Sequence, residues 1–506
     1  MRRRAFIAGA TALLASPGRP AKARAADTPG ALLDAAREIA GRPFRPDTTP
    51  LPPPFAGLDY DAYRGIRPRA GRAANLDVGP GYQADLLPPG LYFPDPVRIE
   101  IPDGAGHREI PFSTDLFRFA PRYFADVPST ATGAGFSGLR LRHPLNAPDV
   151  MDEVMVLQGA SYFRAIGRAM AYGLSARAIA LGTGGPTPEE FPRFTRLRLH
   201  RPHDGTLRLE GIIDSPSLAG HLDLTLAPGD TTRTRIAVTI LPRRDIDDIG
   251  VAPLTSMFLK GPMRSAVSDD YRPRVHDSDV LFIRNGAGEG LWRPIANPAR
   301  LQTSAFVDDG PASFGLYQTP RRYADFEDTE ARYHARPSAV VRPAGDWGKG
   351  AVMLVEIPTG TEFMDNVVAF WRPDRPLAAG SEHRFAYDID WTVSPPETGP
   401  GAHVVQSRSG REHDRPGTRR FVIDLTGPTD GLTPDIRADK GADKGARIGG
   451  TGFFPLPDGS GARVTFLMTP GDADAVELRM VLRDAAGRAA SPVWLHRWSR
   501  ARDGGV

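Results

Sequence analysis

The sequence predicts a mainly β protein, a large antiparallel β-sandwich domain followed by a small immunoglobulin-like β-sandwich. The 506 residues include 54 glycines and 50 prolines, a load that suits many short strands joined by turns and not a helical bundle. Period-two alternation runs through Leu207–Ile213, His221–Ala227 and Arg235–Leu241, with turn chemistry such as Pro228-Gly229-Asp230 between runs. No strand–helix–strand rhythm is present, which sets aside dinucleotide-fold and (β/α) barrel architectures.

Residues 1–25 read as an export signal. Arg2, Arg3 and Arg4 precede the apolar run Ala8–Ala15, and Ala23-Arg24-Ala25 offers a cleavage site. Arg3-Arg4-x-Phe6-Ile7 looks like a twin-arginine signal, which implies delivery of folded protein to the periplasm. The apolar run is too short for a stable membrane span, and no other stretch approaches about 18 uninterrupted apolar residues. Loss of the signal removes Arg2, Arg3, Arg4, Arg19, Lys22 and Arg24 and moves the formal net charge from +3 to −3. A mature chain without basic excess gives no electrostatic case for nucleic acid. The lack of cysteine excludes disulfides, cysteine nucleophiles and thiolate metal sites.

Residues 26–57 are expected to be a linker with one helix, capped by Thr28, with Pro29 in its first turn. Leu32, Leu33, Ala36, Ile39 and Ala40 share one face of it. Pro50–Pro54 is a stiff extended stretch. The large sandwich spans 58–395 and ends with the aromatic strand Phe385–Val393. The Pro/Gly-rich stretch 396–406 marks the boundary, and 396–506 has the length and strand spacing of an immunoglobulin-like module, with Phe421–Leu425, Arg463–Met468 and Val476–Arg483 strand-like. Ala438–Ala446 repeats Ala-Asp-Lys-Gly and reads as an exposed loop.

Three motifs are weak. Gly135-Phe136-Ser137-Gly138 is one residue short of a nucleophile elbow. Gly345–Gly350 lacks the spacing of a phosphate-binding loop. His276-Asp277-Ser278-Asp279 has no second ligand cluster, so no metal is expected.

Acidic and aromatic residues concentrate between about 270 and 395. Asp277 and Asp279 are two apart and would share one face of a strand. Glu362 and Asp365 lie in the polar segment Pro358–Asn366, just before the strand Val367–Trp371. All tryptophans follow residue 290, and Trp292 and Trp347 sit in loop-like sequence. Flat rings cover the apolar face of a pyranose, and paired carboxylates can protonate a glycosidic oxygen and activate water. The competing reading is that the tryptophans are core aromatics and the acids are turn caps or solvated charges.

A set of ordered segments weighs on that choice. These are Leu58–Arg67, Gly159–Gly167, Tyr172–Arg177, Pro253–Phe258, Val275–Asp279, Leu291–Pro294, Arg336–Ser338, Trp347–Gly350 and Asp365–Trp371. Together they resemble the periplasmic osmoregulated-glucan biosynthesis proteins G and D, over most of residues 30–395. The twin-arginine-like start points to the D-type branch. The resemblance implies a large β-sandwich followed by an immunoglobulin-like domain, and a role in making β-1,2-linked glucans. It implies inverting hydrolysis or transglycosylation, with Asp365 as general acid, Asp277 as base and Glu362 as a supporting acid. It further implies substrate contacts from His276, Asp279, Trp292, Arg293, Tyr333, Arg336 and Trp347. No cofactor is implied. The implied partners are β-1,2-glucan and, on the protein side, a membrane glucosyltransferase and a second copy in a homodimer.

An inverting pair stands roughly 6.5–9.5 Å apart, leaving room for water. Asp365 then has to hold a proton near neutral pH, and partial burial or the negative charge of Glu362 would push it that way. The chain also departs from the family pattern. Val280 replaces a glycine, Phe282–Gly290 is poor in aromatics, and Phe306–Phe314 lacks an expected arginine. These changes fall in expected sugar-contacting loops, and the alternative is a non-catalytic glucan-binding scaffold assisting a membrane glucosyltransferase.

Overall fold

In the computed structural model, which describes residues 30–46, 50–127, 131, 133–263, 269–440 and 444–503, the alternating runs become neighbouring strands of the larger of two large sheets. The expected export signal, Thr28 and Pro29 lie outside the described residues. Leu207–Asp214, Leu218–Ala227 and Thr232–Pro242 pair antiparallel in succession, and His383–Thr392 joins beside them. They belong to a 14-stranded sheet whose inner face carries Leu222, Leu224, Leu226, Ile236, Val238 and Ile240. An 11-stranded sheet contributes Leu139, Leu141, Phe163, Leu254 and Ala369 to the same core. At about 1.5–3 kcal/mol for each large apolar side chain fully buried, this shared core is the main favourable term holding the two sheets together.

The middle of the 11-stranded sheet positions the candidate site. Its neighbours run Tyr162–Ala165, Ser175–Arg177, Ile249–Ser256, Val367–Pro373 and Lys349–Glu356. The register sets Phe163 opposite Ala176, Ala176 opposite Leu254, and Leu254 opposite Ala369.

The expected helix is present at Ala31–Ala40, with Leu32 and Ala36 packed on Ile212 and Leu241 of the 14-stranded sheet. Its N-cap is Gly30 and not Thr28, because Gly30 turns left-handed at φ 88° and breaks the helical path there. No helix among the described residues is long and apolar enough to cross a membrane.

Beyond residue 402, His403–Arg411, Arg419–Thr426, Gly461–Thr469 and Arg447–Pro455 form a four-stranded sheet in that spatial order. Its apolar face, with Phe421, Ile423, Val464 and Phe466, shares a core with Val476, Leu478, Met480, Trp494 and Trp498 from the strands Ala475–Arg483 and Val493–Ser499. Those strands also extend the 14-stranded sheet, because Gly290–Pro294 pairs parallel to Val493–Ser499, Leu291 opposite Val493 and Trp292 opposite Trp494. The repeat starting at Ala438 is not wholly a loop. Its first residues end the strand Thr433–Lys440, where Ala438 pairs with Leu478, and residues 441–443 lie outside the described set.

Candidate functional site

Two sequence-distant acids are delivered to one place by the end of the strand Ile249–Ser256. On one side the Asn366 amide donates to the Ser256 carbonyl at 3.0 Å. The Asn366 side chain accepts from Phe258 N at 2.8 Å and donates to Phe258 O at 3.1 Å. On the other side the Asp277 amide donates to the Met257 carbonyl at 2.8 Å, and the Ser256 hydroxyl donates to Ser278 Oγ at 2.9 Å. Residues 256–258 therefore hold Asp365, through its neighbour Asn366, and Asp277 on opposite flanks. Asn366 is fully buried with its amide satisfied by backbone, so the segment leading out of Asp365 is pinned.

The surroundings of the two acids differ. Asp277 is 4 % exposed and ion-paired to Arg336. Burial pushes its carboxyl up, Arg336 opposes that push, and the nearby negative charge of Asp365 adds to it. Asp365 is open to solvent on one side, with Arg164 Nη2 at 3.8 Å. Arg164 also lends positive charge to Asp277, so one guanidinium serves both acids.

Glu362 does not lie free beside Asp365 as expected. Arg272 engages it at 2.8 Å, and Tyr333 donates its hydroxyl to it at 2.5 Å. Arg272 is in turn held by Asp270 at 3.0 Å and Asp328 at 2.9 Å. The buried Tyr333 ring lies under the Arg336 guanidinium, 4.3 Å from its centroid. A chain of contacts thus runs from Glu362 through Tyr333 and Arg336 to Asp277.

Several groups near the acids were not among the sequence candidates. Arg164 lines a cavity of about 420 Å³ together with Phe93, Gln158, Tyr162 and Tyr172. Burial pushes both tyrosine hydroxyls up, and Tyr162 feels the charge of Asp365. Phe363, two residues before Asp365, is 92 % exposed, and Tyr271 beside Arg272 is also exposed. The signal for the first group was present in Gly159–Gly167 and Tyr172–Arg177, segments valued for resemblance and not for chemistry.

Other expected substrate contacts are buried or half-buried. His276 is fully buried, stacked on Phe258 with ring centroids 5.3 Å apart, and its Nδ1–H donates to Gln318 Oε1 at 2.6 Å. Burial pushes it down to about 3, so it is a neutral core side chain. Asp279 does not share a face with Asp277, because one strand ends at His276 and the next begins at Val280. It accepts instead from Thr319 N at 2.7 Å and Thr319 Oγ1 at 2.6 Å. Arg293 is buried in an ion pair with Glu356 at 3.0 Å. Trp292 belongs to the strand Gly290–Pro294, is 3 % exposed, and packs edge-on to Phe282 in the core shared with the C-terminal strands. Trp347 is buried against Trp371, Phe385 and Tyr387, and both tryptophans border cavities, Trp292 beside Gln318 and Arg321 and Trp347 beside Lys349 and His383.

The departures from the family pattern are relocated too. Val280 and Phe282 lie in a hairpin packed in the same core as Trp292. Phe306–Phe314 leaves the edge strand Gln302–Asp309 for Ser313–Tyr317. Among the described residues no group of three or more His, Asp or Glu side chains could hold a metal ion.

Fold and site together define a mainly β protein in which one buried and one exposed carboxyl share the charge of Arg164, an arginine that also lines a cavity with Tyr162 and Tyr172. Residues 29–498 match the family described as "Periplasmic glucan biosynthesis protein, MdoG", and the chain belongs to that family. Curated relatives are named "Glucans biosynthesis protein G". One from Vibrio cholerae is 40% identical over 472 residues, covering 92% of this chain and 85% of the relative. One from Shewanella frigidimarina is 40% identical over 469 residues, with 92% and 83% covered. One from Shewanella baltica is 39% identical over 470 residues, with 92% and 86% covered. These relatives carry the G designation, whereas the twin-arginine-like start had pointed to the D-type branch. The protein is periplasmic and has a role in periplasmic glucan biosynthesis.

Proposed function

We propose that the protein acts on β-1,2-glucan, cleaving or transferring the chain with inversion at the anomeric carbon. Asp365 is the general acid at the glycosidic oxygen and Asp277 the base. The observation that carries this reading is that residues 256–258 hold Asp277 and the neighbour of Asp365 by backbone hydrogen bonds, with Arg164 3.8 Å from Asp365, which brings the two acids near one another. Asp365 is the acid open to an entering sugar. Asp277 stands behind Arg336, so a proton reaches it through water or substrate hydroxyls. Glu362 orients Tyr333 beneath Arg336 and thereby the counter-ion of Asp277. Tyr162, Tyr172 and Phe363 offer rings and hydroxyls to the pyranose units.

The test is incubation of the mature protein with linear β-1,2-glucan, followed by product mass and anomer analysis. Asp365→Asn is expected to lower turnover at least about 10²-fold while glucan affinity stays. Equal loss of both would make Asp365 a structural residue. A second reading, a glucan-binding scaffold that receives glucan from a membrane glucosyltransferase, is favoured by the burial of Asp277 behind Arg336. Saturable binding by the wild type with no product would favour the scaffold.

A further inference from the structure

A separate pocket of about 530 Å³ lies between the helix Tyr60–Arg64 and the ribbon formed by Ile66–Pro68 and Phe117–Phe119. Its lining includes Arg64, Arg67, Arg118 and Arg122, with Asp61 as the acid among the lining residues. The ribbon register sets Arg67 directly opposite Arg118. Like charges facing each other across an antiparallel pair destabilise it. Many arginines elsewhere in the chain meet carboxylates, as at Asp390, Asp424 and Glu100. Among the described residues, these four arginines join no ion pair.

Rings position two of them instead. The Arg64 guanidinium lies 5.5 Å from the Tyr60 centroid, and that of Arg122 lies 4.4 Å from the Tyr123 centroid. Stacking fixes a guanidinium while leaving its edge N–H donors free. Gly65 makes this arrangement possible, because a Cβ there would meet Tyr123 Cδ2 at 2.8 Å. The net charge is only +3 over the full 506 residues, so this concentration of positive charge is local.

We propose that this pocket binds a phosphoryl group through Arg64, Arg67, Arg118 and Arg122. A carboxylate presents a single charge in one plane. A phosphoryl group offers oxygens in several directions, each able to take a guanidinium fork, which suits four arginines around one cavity. Its charge relieves the repulsion between Arg67 and Arg118. The group can arrive as soluble phosphate or as the headgroup of an anionic phospholipid.

The experiment compares the mature protein with its Arg67→Gln/Arg118→Gln variant. Inorganic phosphate, titrated at low ionic strength, is expected to bind the wild type at least tenfold more tightly than the variant. It should raise the wild-type melting temperature and leave that of the variant unmoved. Without phosphate the variant should melt no lower than the wild type, since repulsion has been removed and the fold kept. Co-sedimentation with phosphatidylcholine vesicles, with and without phosphatidylglycerol, distinguishes the sources. Capture by the anionic vesicles assigns a lipid headgroup, and phosphate binding without capture assigns a soluble phosphate. Equal behaviour of the two proteins in both arms, acetate competing as well as phosphate, or no saturable binding in either arm overturns the proposal.

Discussion

Replacing Arg336 by Met removes the counter-ion of a buried acid while keeping an unbranched side chain against Tyr333. The paired side chains are 19% and 6% exposed for Arg336 and Asp277. Removing one partner of a buried pair destabilises by about 3–5 kcal/mol, and the partial exposure of Arg336 favours the low end, about 3 kcal/mol. The Arg336 Nε donation to the Ala331 carbonyl at 3.0 Å is lost as well, adding about 1 kcal/mol. Loss of the stack on Tyr333 adds about 0.5–1 kcal/mol, for a total of about 4.5–5 kcal/mol at pH 7.

Only the part due to the stranded charge depends on pH. Burial already raises the Asp277 carboxyl, and without Arg336 it rises further. A carboxyl raised in the folded state penalises folding above its folded pKa, and the penalty fades as pH falls toward the unfolded value of about 3.9. The deficit should therefore shrink to about 2 kcal/mol near pH 4. Urea unfolding followed by tryptophan fluorescence at both pH values measures it, with Asp277→Asn completing a double-mutant cycle. A deficit that is the same at both pH values, or undiminished in the Asp277→Asn background, would show that Arg336 acts by packing and not by charge.

Three further outcomes follow from where His276, Trp292 and Phe363 are placed. His276 sits at about 3 when folded, so below about pH 6.5 the unfolded chain takes up a proton that the native state refuses. Stability should then fall by roughly 1.4 kcal/mol per pH unit between pH 6.5 and 3 on its account, and His276→Gln should flatten the unfolding profile by that amount. Trp292→Ala should cost about 3–5 kcal/mol in chemical denaturation yet leave glucan affinity of the folded variant unchanged, and a tenfold affinity loss would return Trp292 to the binding site. Phe363→Ala should leave the melting temperature within about a degree, since so exposed a ring adds little to the core, while calorimetric glucan affinity falls by about 0.5–1.5 kcal/mol.

The strands were legible wherever period-two alternation was long enough to declare an inner face. Arg235–Leu241 grew into Thr232–Pro242, and Val476–Arg483 into Ala475–Arg483. The two acids were singled out through resemblance, and the segment Asp365–Trp371 runs from one of them into the strand Val367–Pro373. Trp292 was misread because a five-residue strand flanked by glycine and proline has no periodicity of its own. Trp347 does lie outside the strands, but its depth was not legible, because a buried loop residue and a rim residue look alike in sequence. The partners Arg164 and Tyr162 depend on the Phe163–Ala176–Leu254–Ala369 register, which spans four strands and leaves no local trace. The shared face expected for Asp277 and Asp279 rested on strand alternation, which the break between His276 and Val280 interrupts.

The parallel pairing of Gly290–Pro294 with Val493–Ser499 has a consequence for biosynthesis. While the ribosome is still adding the tail, the backbone of Leu291 and Trp292 faces no neighbour on that side, and an uncovered edge of this kind recruits strands from other chains. A truncation before Val493 would thus leave a sticky, incompletely closed body prone to aggregate, and a stop codon there should read out as lost yield, not as a shorter working protein.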